Sequence, residues 1–194
     1  SRNEIIDYDQ GPQLYPWLEK RGTRLNSNKL YIAEGLYTYD DFIINGEGLN
    51  RTYELKPGVV SGLSSGVRPG DIKYKDQNGD GIIDAEDEIA IGRSNYPELV
   101  YGLNLNAEWK GFDITFFFQG AALADFYYNG YLAFPYIEGR GGALLEHHIG
   151  STWTPENPKA EFPRLYYGGN ANNQLFSSFW MRNGSYLRLK NVEI

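Results

Sequence analysis

LVYGLNLNAEWKGFDITFFFQG, residues 99–120, alternates with period two on both sides of a Lys110–Gly111 pair. In the first arm Tyr101, Leu103, Leu105, Ala107 and Trp109 fall on one side of an extended chain, and Gly102, Asn104, Asn106, Glu108 and Lys110 on the other. Successive side chains of a strand point to opposite faces, whereas a helix would scatter this pattern around its axis. The second arm puts Phe112, Ile114, Phe116 and Phe118 on one face and Asp113, Thr115, Phe117 and Gln119 on the other, a less cleanly polar set. Two alternating runs joined by a tight glycine turn predict a β-hairpin. Each arm has about the 9–11 residues that cross a bilayer when tilted, with one apolar face, one polar face and aromatics near the ends. The same hairpin also suits a water-soluble sheet packed on a core, and the alternation alone leaves both open.

The remaining composition favours strands and turns. Of 194 residues, 16 are Tyr, 10 Phe, 4 Trp and 23 Gly, a mixture better suited to sheets and tight turns than to helices. The formal charge of −7 comes without a basic stripe, which argues against nucleic acid as a partner. Cysteine is absent, so neither disulfides nor thiol chemistry are available. No apolar run approaches the roughly 20 residues of a membrane helix, and SRNEIIDYDQ lacks the apolar centre of a signal peptide.

Around the hairpin the chain is irregular. Short strand-like pieces, KLYIAEGLY (29–37) and DDFII (40–44), lie in a polar, aromatic region, and SGLSSGVRPG (61–70) has connector composition. Residues 120–178 return to loop character, broken by GRGG, TPENP and GGNANN. FWMRNGSYLRLKNVEI (179–194) reads as a further strand, with Leu187 and Leu189 alternating and a register change near Lys190–Asn191 that predicts a bulge. The sequence stops in mid-pattern, which leads us to expect a truncated chain.

KDQNGDGIIDAED, residues 75–87, crowds carboxylates between two β-like pieces, DIKY and EIAIG. It follows the spacing of an oxygen-ligand calcium loop: Asp76, Asn78 and Asp80 at positions 1, 3 and 5, and Gly81 at the sharp turn. The Ile82 carbonyl would serve at position 7 and Asp84 at 9, with Asp87 at 12 where a longer Glu is usual. Hard oxygens suit Ca²⁺ better than zinc or copper. The competing reading is a solvated Asn-Gly/Asp-Gly turn. The β-like flanks argue for a loop-stiffening ion and against a helix-opening switch.

Catalytic patterns fail on context. GLSSG (62–66) spells a nucleophile elbow around Ser64, with Asp125 and His147 following in hydrolase order, but Val67-Arg68-Pro69-Gly70 forbids the helix that must come next. His147–His148 lacks a third ligand at metal spacing and reads as a surface or loop pair. GRGG lacks the Lys-Ser/Thr of a phosphate loop. Asp40 and Asp41, if on a strand, point to opposite faces. No enzyme is therefore expected. Trp17, Trp153, Tyr166 and Tyr167 in polar loops are expected to be exposed, where they could stack on sugar rings.

Four blocks in order, PGDIKYKDQNGDGIIDAEDEIAIG, PELVYGLNLNAEWKGFDITFFFQG, WTPENPKAEFPRL and FWMRNGSYLRLKNVEI, together with the earlier YIAEGLY, resemble the C-terminal barrel region of SusC/RagA-type TonB-dependent outer-membrane transporters. The resemblance implies an all-β fold: antiparallel strands of a partial transmembrane β-barrel, of the plugged class with roughly 22 strands, with long extracellular loops. It implies residues 1–97 as mostly extracellular loop carrying the calcium loop 76–87, 98–122 as a barrel hairpin, 123–178 as extracellular loop and 179–194 as a barrel strand. It implies import of oligosaccharides or peptides across the outer membrane of a Bacteroidetes-type bacterium. The partners it implies are a SusD-like surface lipoprotein, outer-membrane lipid and the TonB complex, the last acting through parts absent from this sequence. Without the family, the residues also suit a secreted, calcium-stabilised β-rich module that binds carbohydrate.

Overall fold

The computed structural model describes residues 3–62, 66–136 and 143–194. Among them there is no α-helix; the elements are strands and short 3-10 turns. The first four strands are β1 (Asn28–Leu30), β2 (Ala33–Leu36), β3 (Phe42–Asn45) and β4 (Thr52–Leu55). β5 (Ile72–Tyr74) and β6 (Ile89–Ile91) flank the acidic loop, and β7 (Leu99–Trp109) and β8 (Phe112–Ala122) form the hairpin. β9 (Asp125–Tyr127), β10 (Met181–Asn183) and β11 (Tyr186–Glu193) complete the set. Every strand pairing is antiparallel, so the all-β expectation holds.

The hairpin turn sits at Lys110 and Gly111, with φ of 48° and 85°. Two consecutive positive φ values give a turn whose twist matches the strands it joins, and glycine takes the second at no steric cost. β8 is the centre of a three-stranded sheet in the order β11–β8–β7. Residues directly opposite in an antiparallel pair share a face. Leu103 and Leu189 both oppose Phe118, while Leu105 and Val192 both oppose Phe116. One face therefore carries a continuous apolar surface across all three strands. The other carries Gln119, flanked by Gly102 and Arg188, and Thr115, flanked by Asn106 and Glu193. Thr115 donates its hydroxyl hydrogen to Asn106 Oδ1 at 3.0 Å on that polar face.

The anticipated irregularity in the last strand is present: the register shifts between Leu189 and Asn191. Lys190 is the extra residue, and its insertion turns Val192 onto the apolar face and Asn191 onto the polar one. A strict two-residue repeat would have done the reverse. Two glycines accommodate rings. A Cβ at Gly120 would lie 2.4 Å from the Tyr101 ring, and one at Gly102 would lie 3.3 Å from Phe117. Aromatic rings thus cover the gaps left by glycine on each face.

Away from the Lys110–Gly111 turn, the sheet runs into a packed body. Gly184 N–H donates to the Ala124 carbonyl at 2.9 Å, carrying the β8–β11 pairing across a break into β9–β10. The regions read as loops from composition have a core of their own: Trp180, Tyr74 and Ile72 are fully buried, with Tyr31, Ile83 and Phe162 packed around them. A second cluster holds Tyr37, Phe42 and Val67. DIKY and EIAIG do not pair with each other. β5 pairs with β2 and β6 with β1, so the single stretch 28–36 grips both ends of the acidic loop.

The buried carboxylate of Asp71 joins the distant parts of this body. It is fully buried and accepts from Arg68 N–H at 2.8 Å and from the Asn170 and Asn173 amides at 2.9 Å each. Arg164 Nε lies 2.8 Å from Oδ1, the oxygen that takes both amides, and its Nη2 donates to Oδ2 at 3.2 Å. Asn173 Oδ1 accepts from Ile72 N–H, Asn172 donates to the Ile72 carbonyl, and Tyr74 donates to the Asn172 carbonyl at 2.6 Å. GGNANN, read as a chain breaker, is therefore a buried connector. A buried charge left without its partner typically costs about 3–5 kcal/mol. Asp71→Ala should lower stability by about that amount, with amide exchange rising at residues 68–74, while Asp71→Asn, which keeps part of the acceptor set, should lose less.

Candidate functional site

The acidic loop folds around its own amides. Asp76 accepts from Gly79 N–H at 2.6 Å through one oxygen and from Gly81 N–H at 2.8 Å through the other. Asn78 and Asp80 form the next two turns, accepting from Asp80 N–H and Ile82 N–H. Gly79 and Gly81 take φ of 79° and 85°, the left-handed geometry that lets the chain curl this tightly. The Asn78 amide donates to Asp80 at 3.0 Å and to Glu86 at 3.2 Å. Asp84 caps the following turn by accepting from Glu86 N–H.

Asp87 differs from the rest. It is fully buried, and its two oxygens accept from Gln77 N–H at 2.7 Å and Asp84 N–H at 2.9 Å. It thus clasps the second and ninth positions of the loop, bridging its two limbs. From outside, Trp17 stacks on Tyr15 with ring centroids 4.7 Å apart and donates its indole N–H to the Glu86 carbonyl at 2.7 Å. Burial, followed by the carboxylates of Glu88, Asp84 and Asp87, pushes the Tyr31 hydroxyl up to about 12. The negative field of the loop therefore reaches the core.

The donor set is hard oxygen throughout and suits a cation such as calcium. Each Asp76 and Asp87 oxygen accepts one N–H and keeps a second lone pair. The side chains do not, however, converge: among the described residues no three His, Asp or Glu groups gather as a metal cage. Asp76, Asn78 and Asp80 share the curled half of the loop. Asp84 and Asp87 belong to the turn that closes it, and the Ile82 side chain is exposed.

Other candidate residues are dispersed. Ser64 and the GRGG stretch lie outside the described residues. Asp125 is taken up structurally, accepting from Arg93 N–H at 2.5 Å. Asp40 and Asp41 sit in a 3-10 turn, not on a strand; Asp41 accepts from Thr38 N–H and pairs with Lys73 at 3.1 Å. Trp153 is buried, contrary to the expected exposure, because its ring packs over Gly70, where a Cβ would lie 2.5 Å from it. Trp17 is half-buried against the acidic loop, and Tyr166 and Tyr167 are exposed as expected. Gln174 escaped the sequence reading altogether. Its only signal was its place beside the GGNANN connector.

The histidine pair lies in a loop turn, Glu146–His148, as read from the sequence, with His147 exposed but its neighbour covered. His148 is fully buried against the Phe162 ring, with centroids 4.9 Å apart. Its Nδ1 accepts from Leu145 N–H, so its Nε2 carries the proton directed at the Leu132 carbonyl, 3.0 Å away. Both ring nitrogens are satisfied in the neutral form, and a second proton would face an N–H. Burial, then the neighbouring His147, lowers the His148 pKa from 6.5, with the Leu132 carbonyl opposing. A depressed folded pKa gives stability that is complete above the unfolded value and lost as pH falls through the folded one. Amide protection at residues 143–150, measured relative to the pH-dependent intrinsic exchange rate, should therefore fall as pH drops below about 6.5, and His148→Gln should remove much of that dependence.

No family model matches the chain. Among curated proteins, it is 34% identical over 135 residues to TonB-dependent receptor P26 of Formosa agariphila, covering 70% of this chain. TonB-dependent receptor P3 of the same organism is 28% identical over 137 residues, again 70% of this chain. TonB-dependent receptor P39 is 20% identical over 219 aligned positions spanning the whole chain. The matches span 13%, 13% and 21% of those proteins' lengths. An open antiparallel sheet with one apolar and one polar face fits a section of barrel wall. The chain belongs to the TonB-dependent receptors, as a stretch of one.

Proposed function

We propose that this chain forms part of the wall and surface loops of an outer-membrane nutrient transporter of the SusC/RagA type. It imports oligosaccharides or peptides with a SusD-like surface lipoprotein, and TonB supplies the drive. The observation that carries the reading is the two-faced sheet. Leu103 and Leu105 are about half exposed on the apolar side, and Asn and Thr side chains occupy the other. Eleven residues at about 3.3 Å each, tilted by roughly 40°, span about 28 Å. That is close to the hydrocarbon thickness of a bilayer. Tyr101 near one end and Trp109 and Phe112 at the other stand where an aromatic girdle meets the headgroups. A secreted module would need this face covered by a core. No helix among the described residues is long and apolar enough to cross a membrane.

In this orientation the Lys110–Gly111 turn faces the periplasm and the packed body faces outward. The full-length protein should fractionate with the outer membrane. Within it, Leu105→Arg should destabilise by about 2–4 kcal/mol, the cost of a cation facing lipid near the midplane, while Asn106→Arg on the adjacent, opposite face should be tolerated. Equal effects at the two positions, read by denaturant unfolding in detergent or vesicles, would contradict a lipid-facing sheet.

The acidic loop is the proposed seat of a structural Ca²⁺, held by Asp76, Asn78, Asp80, the Ile82 carbonyl, Asp84 and Asp87. The oxygen-only donor set and the left-handed Gly81 at the sixth position support this, and Asp87 would have to share its oxygens between the ion and two amides. Chelation by EDTA should raise amide exchange at residues 71–92, and Asp80→Ala should raise it without chelator. Identical exchange with and without Ca²⁺ would leave the loop to its hydrogen bonds alone.

A further inference from the structure

A depression on the packed body has the chemistry of a binding subsite. It is lined by Phe134, Thr152, Tyr166, Gly169, Asn173 and Gln174, among others. Its enclosed part measures about 30 Å³, room for one or two water-sized groups, and the whole depression with its mouth about 380 Å³. The walls are fixed before anything binds. The Phe134 ring stands edge-on to fully buried Trp180, with centroids 5.0 Å apart, and Asn173 is held by Asp71 and by the Ile72 N–H. Gly169, at φ 83°, leaves room for the Gln174 amide, since a Cβ there would lie 3.1 Å from Gln174 Nε2.

Two polar groups remain available. Neither the Gln174 amide nor the Thr152 hydroxyl has a hydrogen-bond partner among the described residues, whereas Asn173 is engaged in its own network, its Oδ1 accepting twice and its Nδ2 donating to Asp71. Among the described residues the one cation on the wall is Arg164; it is neutralised by Asp71 at 2.8 Å, and its guanidinium covers the Tyr166 ring at 5.0 Å. Among the described residues no carboxylate lines the depression. A half-exposed aromatic ring, an unpaired amide and hydroxyl, and no uncompensated charge select a neutral ligand rich in hydroxyls.

We propose that this depression is a subsite for one residue of a neutral glycan. The sugar ring packs at the mouth against Tyr166 and Phe134, and one exocyclic hydroxyl group enters the enclosed part to meet Gln174 and Thr152. The proposal rests on the transporter reading and narrows its cargo from oligosaccharide or peptide to neutral oligosaccharide.

The test uses the full-length receptor purified in detergent, titrated calorimetrically with neutral gluco-, manno- and xylohexaose, a hexagalacturonate and a heptapeptide. At least one neutral hexasaccharide should bind. Gln174→Ala and Tyr166→Ala should each weaken it about fivefold or more, the order expected from losing one hydrogen bond or one ring contact. Tyr166→Phe, which keeps the ring, should bind within about twofold of wild type, and all variants should match its thermal midpoint. Binding of only the anionic hexasaccharide or only the peptide would overturn the proposal, as would neutral binding indifferent to Gln174 and Tyr166, or no neutral binding at all. A receptor absent from the outer-membrane fraction would instead refute the transporter reading beneath it.

Discussion

The body of this protein is organised around a carboxylate shut away from solvent. Asp71 is surrounded by two asparagine amides, a guanidinium and a backbone N–H, and these donors come from segments about a hundred residues apart. Leaving any one of them unpaired in a dry interior is expensive, so the set forms together or not at all. Its geometry fixes β5, and β5 in turn fixes β2 and the near end of the acidic loop. The aromatic core of Trp180, Tyr74 and Phe162 packs over the same frame, with Trp180 donating its indole N–H to the Asn173 carbonyl.

The sheet was legible in the sequence because its information is local and repetitive. Alternation over residues 99–120 specified both strands, both faces and the turn, and the slip at Lys190–Asn191 was visible as a break in the same rhythm. The packed body was not legible, for a physical reason. Its strands are three or four residues long, too short for periodicity, and its stability comes from side chains that cap distant backbone groups. Asn170, Asn172 and Asn173 look like loop residues in sequence because their amides compete with local secondary structure. In the folded body those same amides substitute for it. Trp153 was misplaced, and the burial of His148 within its loop went unseen, for a related reason: polar surroundings in sequence say little about which rings will be covered.

The acidic loop shows how much of a site a motif can specify. The spacing gave the donor types, the position of the left-handed glycine and the alternation of turns. It could not show that Asp87 is turned inward to clasp Gln77 and Asp84, nor that Trp17, about seventy residues away, holds Glu86 from outside. Position 12 of the pattern is thus as much a keystone of the fold as a candidate ligand. A loop anchored at β1, at β2 and at Trp17 has little freedom to swing.

The bulge at Lys190 also bears on how such a strand can change length over evolutionary time. Removing Lys190 or Asn191 would restore a regular ladder and leave Leu187, Leu189 and Val192 on their present face. Removing Arg188 would force Leu189 across to the polar side. Gene-level insertions and deletions in this strand are therefore filtered by position: the two bulge residues form a tolerant joint within an otherwise length-intolerant element.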